Sequence, residues 1–173
     1  MNLETVLPVR YRRAMELNDW LLALHLLSAF SLVAAIIVFW VAIVAIRRTD
    51  SPEQVVAAGR LFPAATVVVT IGSLGSIIFG VWLAIALDGV AVWSGWVIIA
   101  IALWAVGTEM GRRSGPFYVA AIDRAKELVA AGQTGPDAKL AELGRSQQGL
   151  MLHSVASIAL LLILVDMIWK PGA

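Results

Sequence analysis

Four stretches of this chain carry no acidic or basic side chain: Trp20 to Ile46, Leu61 to Leu87, Val90 to Thr108 and Gln147 to Val165. An α-helix rises about 1.5 Å per residue, so roughly 20 residues cross a hydrocarbon core about 30 Å thick. In lipid a lone apolar segment satisfies its backbone only as a helix. The pattern therefore predicts an all-α protein, a four-transmembrane-helix bundle with an amphipathic juxtamembrane helix between spans three and four. The spans are placed at 20–46, 61–87, 90–110 and 147–169, within one integral membrane domain covering 1–173.

Composition agrees. Of 173 residues, 60% are hydrophobic and 14% charged, against about 25% charged in soluble domains. Without cysteine there is no disulfide, thiolate metal site or cysteine nucleophile. Two histidines are too few for a multi-histidine metal site in one chain. A net charge of +1 gives no case for nucleic-acid binding. The first nineteen residues are polar and the first apolar run is too long for a cleaved signal, so span one is expected to stay in the membrane.

Between the runs lie the connectors. Residues Met1 to Asp19 suggest a short surface helix broken at Pro8, or a frayed polar lead. Ser51 as N-cap, Pro52 at the first helical position and Glu53 behind it start a helix outside the membrane. That helix enters after Arg60, with Pro63 in its first membrane turns. The link at Asp88-Gly89 is short, which makes spans two and three antiparallel neighbours. Ser114-Gly115-Pro116 is read as a break, followed by an amphipathic helix over Phe117 to Ala131 within the extramembrane connector 111–146. A further short helix starts at Pro136. There is no internal repeat of the kind that marks inverted-repeat transporters.

Nine of the 13 lysines and arginines fall on the side that holds the first and third connectors, here side B. The positive-inside rule makes side B cytoplasmic, with both termini outside and the protein in the inner (plasma) membrane. Trp20, Trp93, Trp96 and Trp169 gather near the other face, side A, as an interfacial aromatic belt.

Small residues mark where helices approach closely. Gly72, Ser76 and Gly80 recur every fourth residue in span two, and Gly107 and Gly111 do so in span three. They suit packing within the bundle or a homo-oligomer seam. Gly149, His153 and Ser157 share a face of span four.

Ionisable groups at membrane depth face a bundle interior or a cavity. The candidates are His25, Glu109, His153 and Asp166. By helical rise, His25 and Asp166 both lie about 12 Å toward side A. Glu109 and His153 lie toward side B, within about 5 Å of each other in depth. Two His–carboxylate pairs are therefore expected, one near each face. A haem b held by both histidines is disfavoured, because they differ by about 20 Å in depth. His25 with Met167 is the better-placed haem pair.

Leu24-His25-Leu26-Leu27, Gly80-Val81-Trp82-Leu83-Ala84, the Trp93 to Trp96 entry of span three and the Met167-Ile168-Trp169-Lys170-Pro171 ending resemble an uncharacterised family of bacterial four-span membrane proteins. That family brings no activity to carry over. A more distant similarity is to copper-resistance D and HemJ-type membrane proteins, in which only the span-one histidine, His25, would correspond. HemJ-type proteins are associated with haem and porphyrinogen oxidation.

The sequence supports three functional readings. The first is non-catalytic, a scaffold or accessory subunit of a membrane complex, partnered by the bilayer and by further copies or other subunits. The second is a b-type haem protein using His25. The third is a small proton-coupled transporter using His25 with Asp166 or Glu109 with His153.

Overall fold

The structure, a computed structural model, describes residues 9–87 and 93–170. Expectations at Pro8, at Asp88-Gly89 and at Pro171 lie outside the described residues. Six helices account for nearly all the rest: α1 (Val9–Arg48), α2 (Pro52–Gly59), α3 (Leu61–Ala86), α4 (Gly95–Ala130), α5 (Ala138–Gly144) and α6 (Gln147–Trp169). No strand occurs among the described residues. The fold is all-helical.

Among the described residues, three segments are long and apolar enough to cross a membrane: Leu17–Arg48, Pro52–Ala86 and Ala138–Trp169. In their most apolar windows only 22%, 17% and 28% of residues are buried. Phe30, Ile71, Ile158 and Leu161 are among many large apolar side chains on the outside. Water is a poor solvent for such a surface, and hydrocarbon is a good one. α4 is the further helix. It is long, but its uncharged stretch stops at Thr108.

Two helix pairs form the body. α1 runs antiparallel to α3, with His25 against Gly80, Ser28 and Leu32 against Gly72, and Phe39 against Phe62. A Cβ on Gly72 would meet the Leu32 nitrogen at 2.8 Å and the Ser28 carbonyl oxygen at 2.9 Å. Only glycine lets these two backbones come so close. α4 runs antiparallel to α6, with Gly107 and Gly111 against Ala156 and Ala159. Both small-residue seams are thus filled by helices of the same chain. The contacts of α3 with α4 are far fewer than those within either pair. Spans two and three, expected as neighbours from their short link, touch mainly where the Trp104 indole N–H donates to the Ser73 carbonyl (3.2 Å) and hydroxyl (3.0 Å).

At the side B end, the chain builds a core of another kind. Ala42, Ile43 and Ile46 from the end of α1, Val55 from α2, Tyr118 to Leu128 from α4 and Leu140 from α5 converge there. This cap buries apolar faces helix on helix, as a soluble domain does. Arg47 donates to the Ser146 carbonyl (2.9 Å), and Arg145 pairs with Asp50 (2.7 Å), tying the connectors to it.

Two boundaries differ from the sequence expectation. α1 already runs from Val9 without interruption into the first apolar run. α4 passes straight through Ser114-Gly115-Pro116, where a break was expected, so the amphipathic segment is its continuation. Gly115 has no Cβ to collide with the Pro116 ring, which removes the usual clash of the residue before proline. The apolar positions Tyr118, Ala121, Ile122, Ala125 and Leu128 then prolong the helix because the cap covers them. By contrast α2 and α3 do part at Arg60, where Pro63 has no N–H to reach the Gly59 carbonyl.

Candidate functional site

The weak contact of α3 with α4 leaves a cleft of about 730 Å3 between the two pairs. Its floor comes from α1 and α6, through Leu32, Ile36, Leu160 and Ile163. α3 lines it with Thr66, Thr70 and Ser73 at i, i+4 and i+7, one helical face. α4 supplies Trp104, Thr108 and, toward side B, Arg112 and Tyr118. The volume falls within the range of small-molecule pockets, roughly 300–1,000 Å3.

Toward side B the wall is aromatic. Phe39 and Phe62 meet edge to face at 5.3 Å between ring centroids. His153 lies 6.1 Å from Phe39, and Tyr118 lies 6.2 Å from Phe62. These four rings form a row whose two ends carry polar atoms. His153 is 5% exposed and Tyr118 is 1% exposed. Among the described residues nothing hydrogen-bonds the His153 Nε2 or the Tyr118 hydroxyl. Arg112, at the rim, is held by Glu109 through two bonds of 2.8 Å.

The residues singled out in the sequence are distributed differently from expectation. His25 does not line the cleft. Its Nδ1 lies 3.1 Å from the Ser76 carbonyl, to which it donates, and its ring fills the space left by Gly80. No hydrogen bond or ion pair joins it to Asp166 among the described residues. Asp166 is buried near the side A end of α6, with its Oδ2 unbonded among those residues. Glu109 bonds Arg112 and Arg113 (2.6 Å to the latter), not His153. His153 instead packs edge-on to Trp40, 5.0 Å between centroids, while the Trp40 indole donates to Ser157 (2.9 Å). Gly149 faces Phe117. Neither expected His–carboxylate pair forms, because equal depth does not fix which way a side chain points around its helix.

The haem pair fares no better. A porphyrin between His25 and Met167 needs a cavity that both residues line. The cleft is lined by neither, and the His25 ring is packed edge-on against α3. That cleft is therefore not a haem site built on His25 and Met167. The cleft residues Ser73, Trp104 and Tyr118 were missed in the sequence, although the Thr66, Thr70, Ser73 stripe on an otherwise apolar helix was a usable signal.

No curated protein and no solved structure matches the chain. A family model does match, over residues 19–171, and its description is a predicted integral membrane protein. Nothing in the comparisons extends to copper-resistance D or HemJ-type proteins. With all but its first residues and its last two inside that match, the chain belongs to the DUF2269 family of predicted integral membrane proteins.

Proposed function

We propose that this protein works without catalysis, as a four-span accessory subunit that holds a membrane-soluble molecule between its helix pairs. The observation that carries the reading is the cleft between α3 and α4, with apolar walls, a few hydroxyls and its rim residues Thr66, Thr70 and Leu74 on the outer surface. A molecule dissolved in the bilayer reaches such a site sideways, without crossing water. α4 is the fourth span in this reading, since its Gly95 to Thr108 stretch runs antiparallel to α6 over the same depth. The cap faces the cytoplasm, where the positive-inside rule puts its arginines.

Native mass spectrometry of detergent-purified protein tests the site. The wild type is expected to retain an apolar molecule that a cleft-filling Thr70→Phe variant loses. Equal retention by the two overturns the reading. Topology has its own test, because a chain without cysteine reports any introduced one alone. A cysteine at Gln133 should react with a membrane-impermeant maleimide only in inside-out vesicles. Labelling from the outside would reverse the orientation.

A further inference from the structure

We propose that the cleft receives one acyl chain of an anionic phospholipid from the side B leaflet, with the lipid phosphate resting on Arg112 and Arg113. This rests on the reading of the cleft as a binding site. The apolar occupant of that reading becomes the tail, and the rim supplies the partner of a charged head.

α3 and α4 meet at Ser73, which the Trp104 indole and the Thr108 hydroxyl reach, and again where Phe62 lies beside Tyr118. Arg112 falls between those two contacts on α4, as Thr66 and Thr70 do on α3, and all three line the cleft. Thr66 and Thr70 stand about 7–14 Å past Leu61, where the apolar run of α3 begins. Arg112 is thus set beside the apolar wall of the cleft, not beyond its end.

Arg112 and Arg113 both bond Glu109, and neither has another carboxylate among the described residues. Two cations on one anion leave one positive charge. In the cap, by contrast, Arg124, Lys126, Lys139 and Arg145 each have at least one carboxylate of their own. Glu109 precedes both arginines on α4, toward side A. Their guanidiniums therefore lean away from the nearer water, where a lone arginine would snorkel toward it. The two side chains remain 70% and 59% exposed. An exposed net charge at membrane depth calls for a counter-ion.

The bilayer supplies one in its head groups, and basic pockets between membrane helices on the cytoplasmic side suit them. Arg113 donates to Glu109 through Nε alone, which leaves both its terminal nitrogens for charge-assisted bonds to phosphate oxygens. A fatty-acid carboxyl at this depth takes up a proton and loses its charge. A phosphodiester is too strong an acid to do so. From Arg112 to Trp104 the lining of α4 runs about 12 Å toward side A, facing Leu32, Leu74 and Leu160. One acyl chain lies along that track and brings no polar atom into it, while the head stays at the rim.

The experiment titrates protein purified in an uncharged detergent with dioleoylphosphatidylglycerol, dioleoylphosphatidylcholine, dioleoylglycerol and oleic acid, reading the saturable rise in melting temperature. Phosphatidylglycerol should bind most tightly, about fivefold ahead of phosphatidylcholine. Arg112→Gln should abolish that preference and leave phosphatidylcholine affinity unchanged. Arg48→Gln removes an equal charge from an exposed residue outside the cleft and should keep the preference. Glu109→Gln leaves both arginines unopposed and should strengthen phosphatidylglycerol binding severalfold, so it carries the test if Arg112→Gln fails to fold. Thr70→Phe should weaken every probe. Equal binding of the four probes, a preference for any other than phosphatidylglycerol, a preference that survives Arg112→Gln, or one that Arg48→Gln abolishes overturns the anionic phospholipid and leaves the cleft to another molecule. Binding of none of them to the wild type, or binding that Thr70→Phe leaves intact, overturns the cleft as a site as well.

Discussion

Gly72 stands where any side chain would run into the main chain of Leu32: a Cβ there would lie 2.8 Å from the Leu32 nitrogen. At Gly80 the obstacle would be the His25 ring, at 2.9 Å, which is able to turn away at the loss of its bond to Ser76. At Gly111 the nearest atom would be the Ala156 Cβ at an ordinary 3.9 Å. Alanine scanning should rank these sites. Gly72→Ala forces α1 from α3 and should cost about 1–3 kcal/mol. Gly80→Ala should cost less, and Gly111→Ala should gain up to about 1 kcal/mol from helix propensity. Unfolding midpoints in mixed micelles check the order. Equal effects at Gly72 and Gly111 would refute it.

Trp40 bonds Ser157 across the interface of α1 and α6, and so joins the two helix pairs. Polar bonds of this kind between membrane helices average about 0.6 kcal/mol. Trp40→Phe should destabilise by about that amount, and Ser157→Ala should add little on top of it. A double-mutant cycle measures the coupling, and additive effects would show that the bond contributes nothing.

Asp137 accepts from the Arg124 guanidinium (2.9 Å) and caps α5 by accepting from the Leu140 N–H (2.7 Å). The Arg124 bond first, then the backbone bond, hold its carboxyl below the usual aspartate range. A depressed folded pKa means the contribution is fully present above the unfolded value and fades as pH falls through the folded one. Amides of Ala138 to Gly144 should therefore lose protection against hydrogen exchange in acid below about pH 4. Asp137→Asn should remove that acid step. An unchanged profile in the variant would assign it to another group.

Pro116 interrupts the hydrogen-bond ladder of α4 at the Arg112 carbonyl and sits on an exposed face. Pro116→Ala should restore the bond and stabilise the protein by about 1–3 kcal/mol. A fall in melting temperature would mean that a bend at this position is needed for the cap to close over α2.

Long apolar helices were legible in the sequence and the direction of their side chains was not. Apolar runs pointed to the long apolar helices, because length and hydropathy are properties of one helix alone. The partner of His25 was missed because rise per residue says nothing of azimuth. Asp166 was expected at the same level, yet the ring turns to the Ser76 carbonyl beside Gly80. The glycines that mark the α1–α3 seam were visible as a spacing, but nothing in that spacing named α1 as the helix they admit. The cleft escaped for a related reason. It exists because α3 and α4 prefer other partners, a fact about four helices at once. Pro116 misled because its local signal to stop is real and was outweighed by the apolar face beyond it.

In the proposed topology the cap around Val55, Tyr118 and Leu140 meets water, while the apolar spans meet hydrocarbon. Only surface that exchanges between protein and water contributes the large heat-capacity change of unfolding. Calorimetry should thus see the cap almost alone, and urea or cooling should loosen it first. Circular dichroism would meanwhile report the membrane helices intact, so one covalent chain melts as two materials.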